Sequence, residues 1–213
     1  MENKKNPSFH SKFVASRSAA LLLISAAVGT TYALFSSQKK VNAHLTIGQG
    51  VKAGLYLTSL TRDEIDQSTG RPSEKTIDLS KYTSDGKSVY DKDIGGVDLS
   101  LYKESVFPQV EIAPTMGGKA EFTLVNQGDV AFTYQLARTK KAYDADGKEL
   151  GQDASILTQI HFSLEDQDNS IVDKNAKKKF SLSFEFVDDE ENNLVQGQSL
   201  DADISVHVVQ VTK

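Results

Sequence analysis

The amino-acid sequence predicts an all-β fold, an antiparallel jelly-roll β-sandwich with short helical decorations, preceded by an N-terminal signal peptide. Three observations predict it. Beyond position 40, apolar residues recur at every second place in one run after another, which sets them on one face of a strand. Clusters of Asn, Asp and Gly separate these runs and supply turn chemistry. Before position 40, a basic segment leads into a short uncharged apolar one, the order of a secretion signal.

The N-terminal segment comes first. Lys4, Lys5, Lys12 and Arg17 oppose only Glu2, and residues 18–38 carry no charge. The strongly apolar part, Ala19–Val28, makes a helix of about 15 Å, half of a hydrocarbon core roughly 30 Å thick. That length suits a signal peptide rather than a spanning helix. Gly29, Thr30 and Thr31 end the run, and Ala33 is a small residue of the kind accepted at a cut, so cleavage is expected between Ala33 and Leu34. An uncleaved anchor is the alternative; it leaves the cations on the cytoplasmic side and the rest of the chain outside. Either way residues 34–213 are expected to be exported, with membrane contact only during export. The formal charge of −5 hides a more acidic exported part, and its charges are scattered rather than clustered. A nucleic-acid partner is not expected, since phosphate binding needs a basic patch.

The strands follow in order. Val41, Ala43, Leu45 and Ile47 alternate; so do Phe122 and Leu124; Phe132, Tyr134 and Leu136; Ile160, Phe162 and Leu164; Phe180, Leu182, Phe184 and Phe186; and Ile204, Val206 and Val208. Such half-polar strands need a second layer to cover them. Asn126–Asp129 and Asp144–Gly147 offer residues that tolerate positive φ, and both read as hairpin turns. Residues 61–107 are polar and contain Gly70, Pro72, Gly86, Gly95 and Gly96, which predicts a long surface excursion with a helical turn near Leu99–Lys103 at most. A short helix is expected over 153–159 with Asp153 as its cap. Lys177–Lys179 reads as the protective charge of an edge strand, and Asp188–Glu191 as a solvated hairpin tip. Long strands joined by both tight turns and long crossovers fit a jelly roll.

Chemistry is hard to find in this sequence. The absence of Cys removes disulfides, thiolate metal sites and a Cys nucleophile. His10 leaves with the signal, and His44, His161 and His207 lack the spacing of a zinc site, so no metal, cofactor or catalytic residue is expected. Asp144–Gly147 has the start of a calcium loop, but Lys148 and Ser155 stand where further oxygen ligands belong. Tyr82, Tyr90 and Tyr102 are either a contact surface or anchors that hold the excursion to the sandwich.

Gly29–Ser37 followed by Val41–Gly48, the block Pro114–Gly128, and the closing strand Ile204–Thr212 with Gln210 together resemble the TasA/camelysin family. Thr30 and Ser37 depart from its usual Gly and acidic residue, and residues 61–107 have no counterpart in it. The resemblance implies a Gram-positive source and export through a SipW-type signal peptidase. It also implies a secreted or cell-surface jelly-roll subunit that polymerises into extracellular biofilm matrix fibres, with itself and related matrix subunits as partners. In such a fibre the N-terminal segment of one subunit completes the sheet of the next, so Leu34, Phe35 and Val41 are the expected donor residues and Ser36–Lys40 a polar linker. A strand belonging to its own monomeric sandwich is the alternative for Leu34–Ile47. The family is also catalogued as a metalloendopeptidase, which makes a surface peptidase a second expectation; a non-polymerising accessory or binding module is the third.

Overall fold

The computed structural model describes residues 38–48, 50–66, 68–102, 104–106, 116–166, 171–187 and 198–211. The expected signal peptide, its cut at Ala33 and Leu34, and the acidic run Asp188–Glu191 lie outside the described residues. In chain order the elements are β1 (Gln38–Ile47), β2 (Ala53–Ile65), β3 (Pro72–Thr76), a 3-10 turn (Leu79–Lys81), β4 (Thr83–Ser84), β5 (Lys87–Ser88), β6 (Tyr90–Asp91), β7 (Gly96–Asp98), β8 (Gly117–Asn126), β9 (Phe132–Tyr143), α1 (Ser155–Gln159), β10 (Ile160–Asp166), β11 (Lys177–Phe186) and β12 (Ser199–Gln210). The protein is all-β, and among the described residues helix is confined to the two short turns.

A small sheet has the order β1-β12-β9, and a large one the order β10-β11-β8-β2-β7-β6, with β3 added beside β2. Their inward side chains form one core. At its centre Phe122 of β8 and Phe180 of β11 are direct cross-strand partners, with rings stacked 5.0 Å apart. Every alternating run read from the sequence lies in a strand, and most of the apolar residues quoted for those runs are buried. Among the described strands the pairing is antiparallel with one exception: β1 runs parallel to β12. Alternation has the same period in either direction, so the sequence pattern could not reveal this.

The central strand of the large sheet, β2, escapes a search for alternation because of a β-bulge. Pairing with β8 shifts register between Leu57 and Ser59, so Leu55, Leu57 and Leu60 all face the core. Thr58, the inserted residue, hydrogen-bonds through its hydroxyl with the Glu121 carbonyl and the Thr123 hydroxyl, each at 3.2 Å. Beside the bulge, a Cβ on Gly96 would stand 2.7 Å from the Leu57 carbonyl oxygen, so only glycine lets β7 approach.

The excursion expected over 61–107 is instead built into the sandwich. It contains the end of β2 and strands β3 to β7, and Leu79, Val89, Val97 and Val106 are buried. Its polarity is local chemistry. Asp66, Asp78 and Asp98 each accept from the N–H and the hydroxyl of the serine two residues on, a side-chain turn that replaces a backbone one. Asp85 and Gly86, at φ 51° and 73°, join β4 to β5.

Other expectations are corrected. Asn126–Asp129 is not a hairpin, because β8 and β9 belong to different sheets, and its residues do not have positive φ. The Asn126 side chain, 1% exposed, shapes the corner: its Nδ2 donates to the carbonyls of Val130 and Val172, and its Oδ1 accepts from Gly128 N–H. Ala154, not Asp153, precedes α1, and no side chain caps it. β11 carries Lys177–Lys179 but lies between β10 and β8, so these lysines do not mark an edge strand. Leu99–Leu101 forms a turn bonded back to Asp98.

Candidate functional site: the edges of the small sheet

The small sheet presents two different edges. On one side β1 pairs in parallel with β12 from Gln38 opposite Ser199 to Ile47 opposite Val208. Behind this ladder the core face of β12, Leu200, Ala202, Ile204, Val206 and Val208, is at most 2% exposed. The described side chains of β1 are at most partly buried. Ala43 and Leu45 are half-buried against the core and Ile47 is 43% exposed. On the outer face Asn42 Nδ2 donates to Asp203 Oδ1 at 2.9 Å. Gly48 N–H still bonds the Val208 carbonyl, and Gly50 then turns the chain at φ 77° toward β2 in the opposite sheet. Val41 lies in β1 opposite Ala202, while Leu34 and Phe35 lie outside the described residues.

On the other side β9 faces β10 of the large sheet across a seam. One end is closed: Phe132 and Val172 exchange both backbone hydrogen bonds. Because strand backbones alternate, Leu136, Arg138 and Lys140 turn their amide groups to the same side as Phe132. On β10, Phe162 and Leu164 do likewise, since they oppose Phe184 and Leu182, while Phe186 N–H is directed to Met116 on the β8 side. Between these strands, among the described residues, no backbone hydrogen bond crosses the seam. Side chains cross it instead. Arg138 Nη1 donates to the Phe162 carbonyl, and Lys140 Nζ donates to the Leu157 carbonyl of α1 at 2.6 Å. Lys140 also stands 6.0 Å from the Phe162 ring centroid. Burial, and after it the neighbouring positive charge of Arg138, pushes the Lys140 ammonium below its ordinary pKa.

The sequence-marked histidines are not brought together. His161 is exposed on β10 and His207 exposed on β12, in different sheets, and His44 lies in β1. A cleft of about 500 Å³ in the large sheet is lined by His161, Glu185, Asp63, Ser163 and Ser183 together with Phe162 and Phe184. Asp63 Oδ2 there accepts from Gly117 N–H at 2.8 Å. Among the described residues no group of three or more His, Asp or Glu side chains converges as a metal site. In the turn that resembled a calcium loop, Asp144 Oδ1 is occupied by the N–H groups of Asp146 and Lys148.

The tyrosines of the excursion act as anchors. Tyr82, Tyr90 and Tyr102 pack against the core, and the rings of Tyr82 and Tyr102 lie 5.1 Å apart. Burial, followed by the neighbouring Tyr82 and Glu104, pushes the Tyr102 phenol up to about 12. The seam cations escaped the sequence reading although they carry a signal: Arg138 and Lys140 continue the phase of Phe132, Tyr134 and Leu136, so two charges stand where the alternation predicts core. No family model, curated protein or solved structure matches the chain.

Proposed function

We propose that the chain is a secreted structural subunit of extracellular matrix fibres, a jelly-roll sandwich that polymerises with itself by donating its N-terminal strand. The observation that carries this reading is the placement of β1. It is the first described strand, it lies at a sheet edge, and it covers one side of β12, whose core face is buried, through a ladder that any identical copy reproduces residue for residue. Exchanging β1 between copies therefore conserves the pairing, and only the Gly48–Lys52 connection has to change path. A head-to-tail exchange does not close on itself, so it propagates a filament. The ladder gives affinity through main-chain bonds, and alternate side chains give register. Leu34, Phe35 and Val41 extend the donor toward its start, and a SipW-type signal peptidase frees it by cutting after Ala33.

Electron microscopy of residues 34–213 beside a version lacking Leu34–Lys40, both concentrated at neutral and mildly acidic pH, tests this. Fibres are expected from the first and soluble monomers from the second. Monomers from both overturn strand donation by the isolated subunit.

A further inference from the structure

The seam between β9 and β10 holds two cations without an anion. Arg138 and Lys140 sit two residues apart on one face, and among the described residues neither has an acidic partner within ion-pair distance. Their bonds go to neutral carbonyls, those of Phe162 and Leu157. At the same end of the seam Gln159, 4% exposed and two residues beyond Leu157, buries both atoms of its side-chain amide with no hydrogen-bond partner. A buried amide is costly to leave without a hydrogen-bond partner. Alongside, Leu136 of β9 and Leu164 of β10 are only partly buried.

We propose that this seam is a docking site for an extended acidic peptide, which adds as a strand to the Leu136–Lys140 stretch of β9 and sets carboxylates at alternate positions against Arg138 and Lys140. The spacing is that of a strand: side chains two residues apart on one face stand about 6.8 Å apart on both partners. A Glu-x-Glu pattern therefore meets both cations, and an apolar residue at the next alternate position meets Leu136. The seam-facing amide groups of Leu136, Arg138 and Lys140 supply the ladder. A phosphate polymer satisfies the charges but offers no amides, so a polypeptide is the occupant that uses both features. The inference is independent of the proposed fibre role, which uses the opposite edge of the sheet.

The test is fluorescence anisotropy of the full chain with a labelled seven-residue peptide that alternates threonine with glutamate, glutamate and leucine. Saturable binding is expected, weakened at least about tenfold by 0.5 M salt, by glutamine in place of both glutamates, and by N-methylation of the peptide backbone. The Arg138→Gln/Lys140→Gln variant, with its fold checked by circular dichroism, is expected to lose binding to the same degree. Should that variant unfold, the glutamine and N-methyl peptides still decide on the unaltered protein. Absence of saturable binding, indifference to N-methylation, or equally tight binding of a polyphosphate of the same charge overturns the proposal; the last outcome makes the seam a general anion patch.

Discussion

The two edges of the small sheet are built on opposite principles. β1 has a complete backbone partner in β12 and its described side chains are at most partly buried, whereas β9 carries inward-phase charges and meets the neighbouring sheet through side chains. Inward charge is a known protection against unwanted strand addition, because an apolar strand entering there must desolvate it. β1 has no described equivalent. Such charge disfavours an apolar strand at β9 without disfavouring an acidic one, and the β1 edge, paired with β12 along its length, is the one that the proposed exchange uses. The comparison also separates stability from assembly, since the best-packed part of the molecule lies in neither edge.

The largest expected effect tests that separation. Phe122→Ala removes one half of the buried Phe122–Phe180 stack and is expected to cost about 3–5 kcal/mol in urea unfolding. A loss under about 1 kcal/mol shows that the core, and with it the contrast between core and edges, is misplaced. Asn126→Ala acts at the closed end of the seam, where the side chain holds the carbonyl of Val172 beside its bridge to Phe132. About 2 kcal/mol is expected, with faster hydrogen exchange at Val172 than at the β8 amides. A uniform change in exchange across both sheets removes the distinction between corner and core.

Asn42→Ala sharpens the comparison from the β1 side. Losing the bond to Asp203 is expected to cost about 1 kcal/mol, with the change concentrated in β1 and its ladder on β12. Exchange in β9 that rises as much as in β1 contradicts independent edges. The smallest effect is a control away from both. Lys75, and then Arg62, hold the Glu64 carboxyl below its ordinary value of 4.5, at distances of 2.7 and 2.6 Å. A depressed folded-state pKa stabilises above the unfolded value and loses that contribution as pH falls through the folded one. The group is only partly buried and its pairs lie at the surface, so the expected advantage of the native chain over Glu64→Gln is about 0.5 kcal/mol at pH 6 and vanishes toward pH 3. An advantage that persists at pH 3 rules out the ion pairs as its source.

The readable parts of the fold are those where burial follows the strand period. Phe180, Leu182, Phe184 and Phe186 announce β11 because each alternate position meets the core. β2 was hidden by its own bulge: Leu57 and Leu60 are three apart, which breaks the period although both side chains are wholly buried. Residues 61–107 were hidden by their aspartates, whose carboxylates serve turns in a segment that still buries Val89 and Val97. Arg138 and Lys140 stood in plain phase with the core, and only the neighbouring sheet shows why charge is tolerated there: the carbonyls of Phe162 and Leu157 face them.

The sequence by itself determined the all-β class and the core face of the regularly alternating strands, because each depends on a residue and its near neighbours along the chain. Strand direction, sheet membership and the character of each edge were decided only in three dimensions. A strand's period is blind to whether its partner runs parallel or antiparallel, and an edge is defined by the partner that is absent. β1 beside β12 and β9 beside β10 bring together residues far apart in sequence, and no local pattern encodes which of those meetings forms a ladder and which leaves a seam.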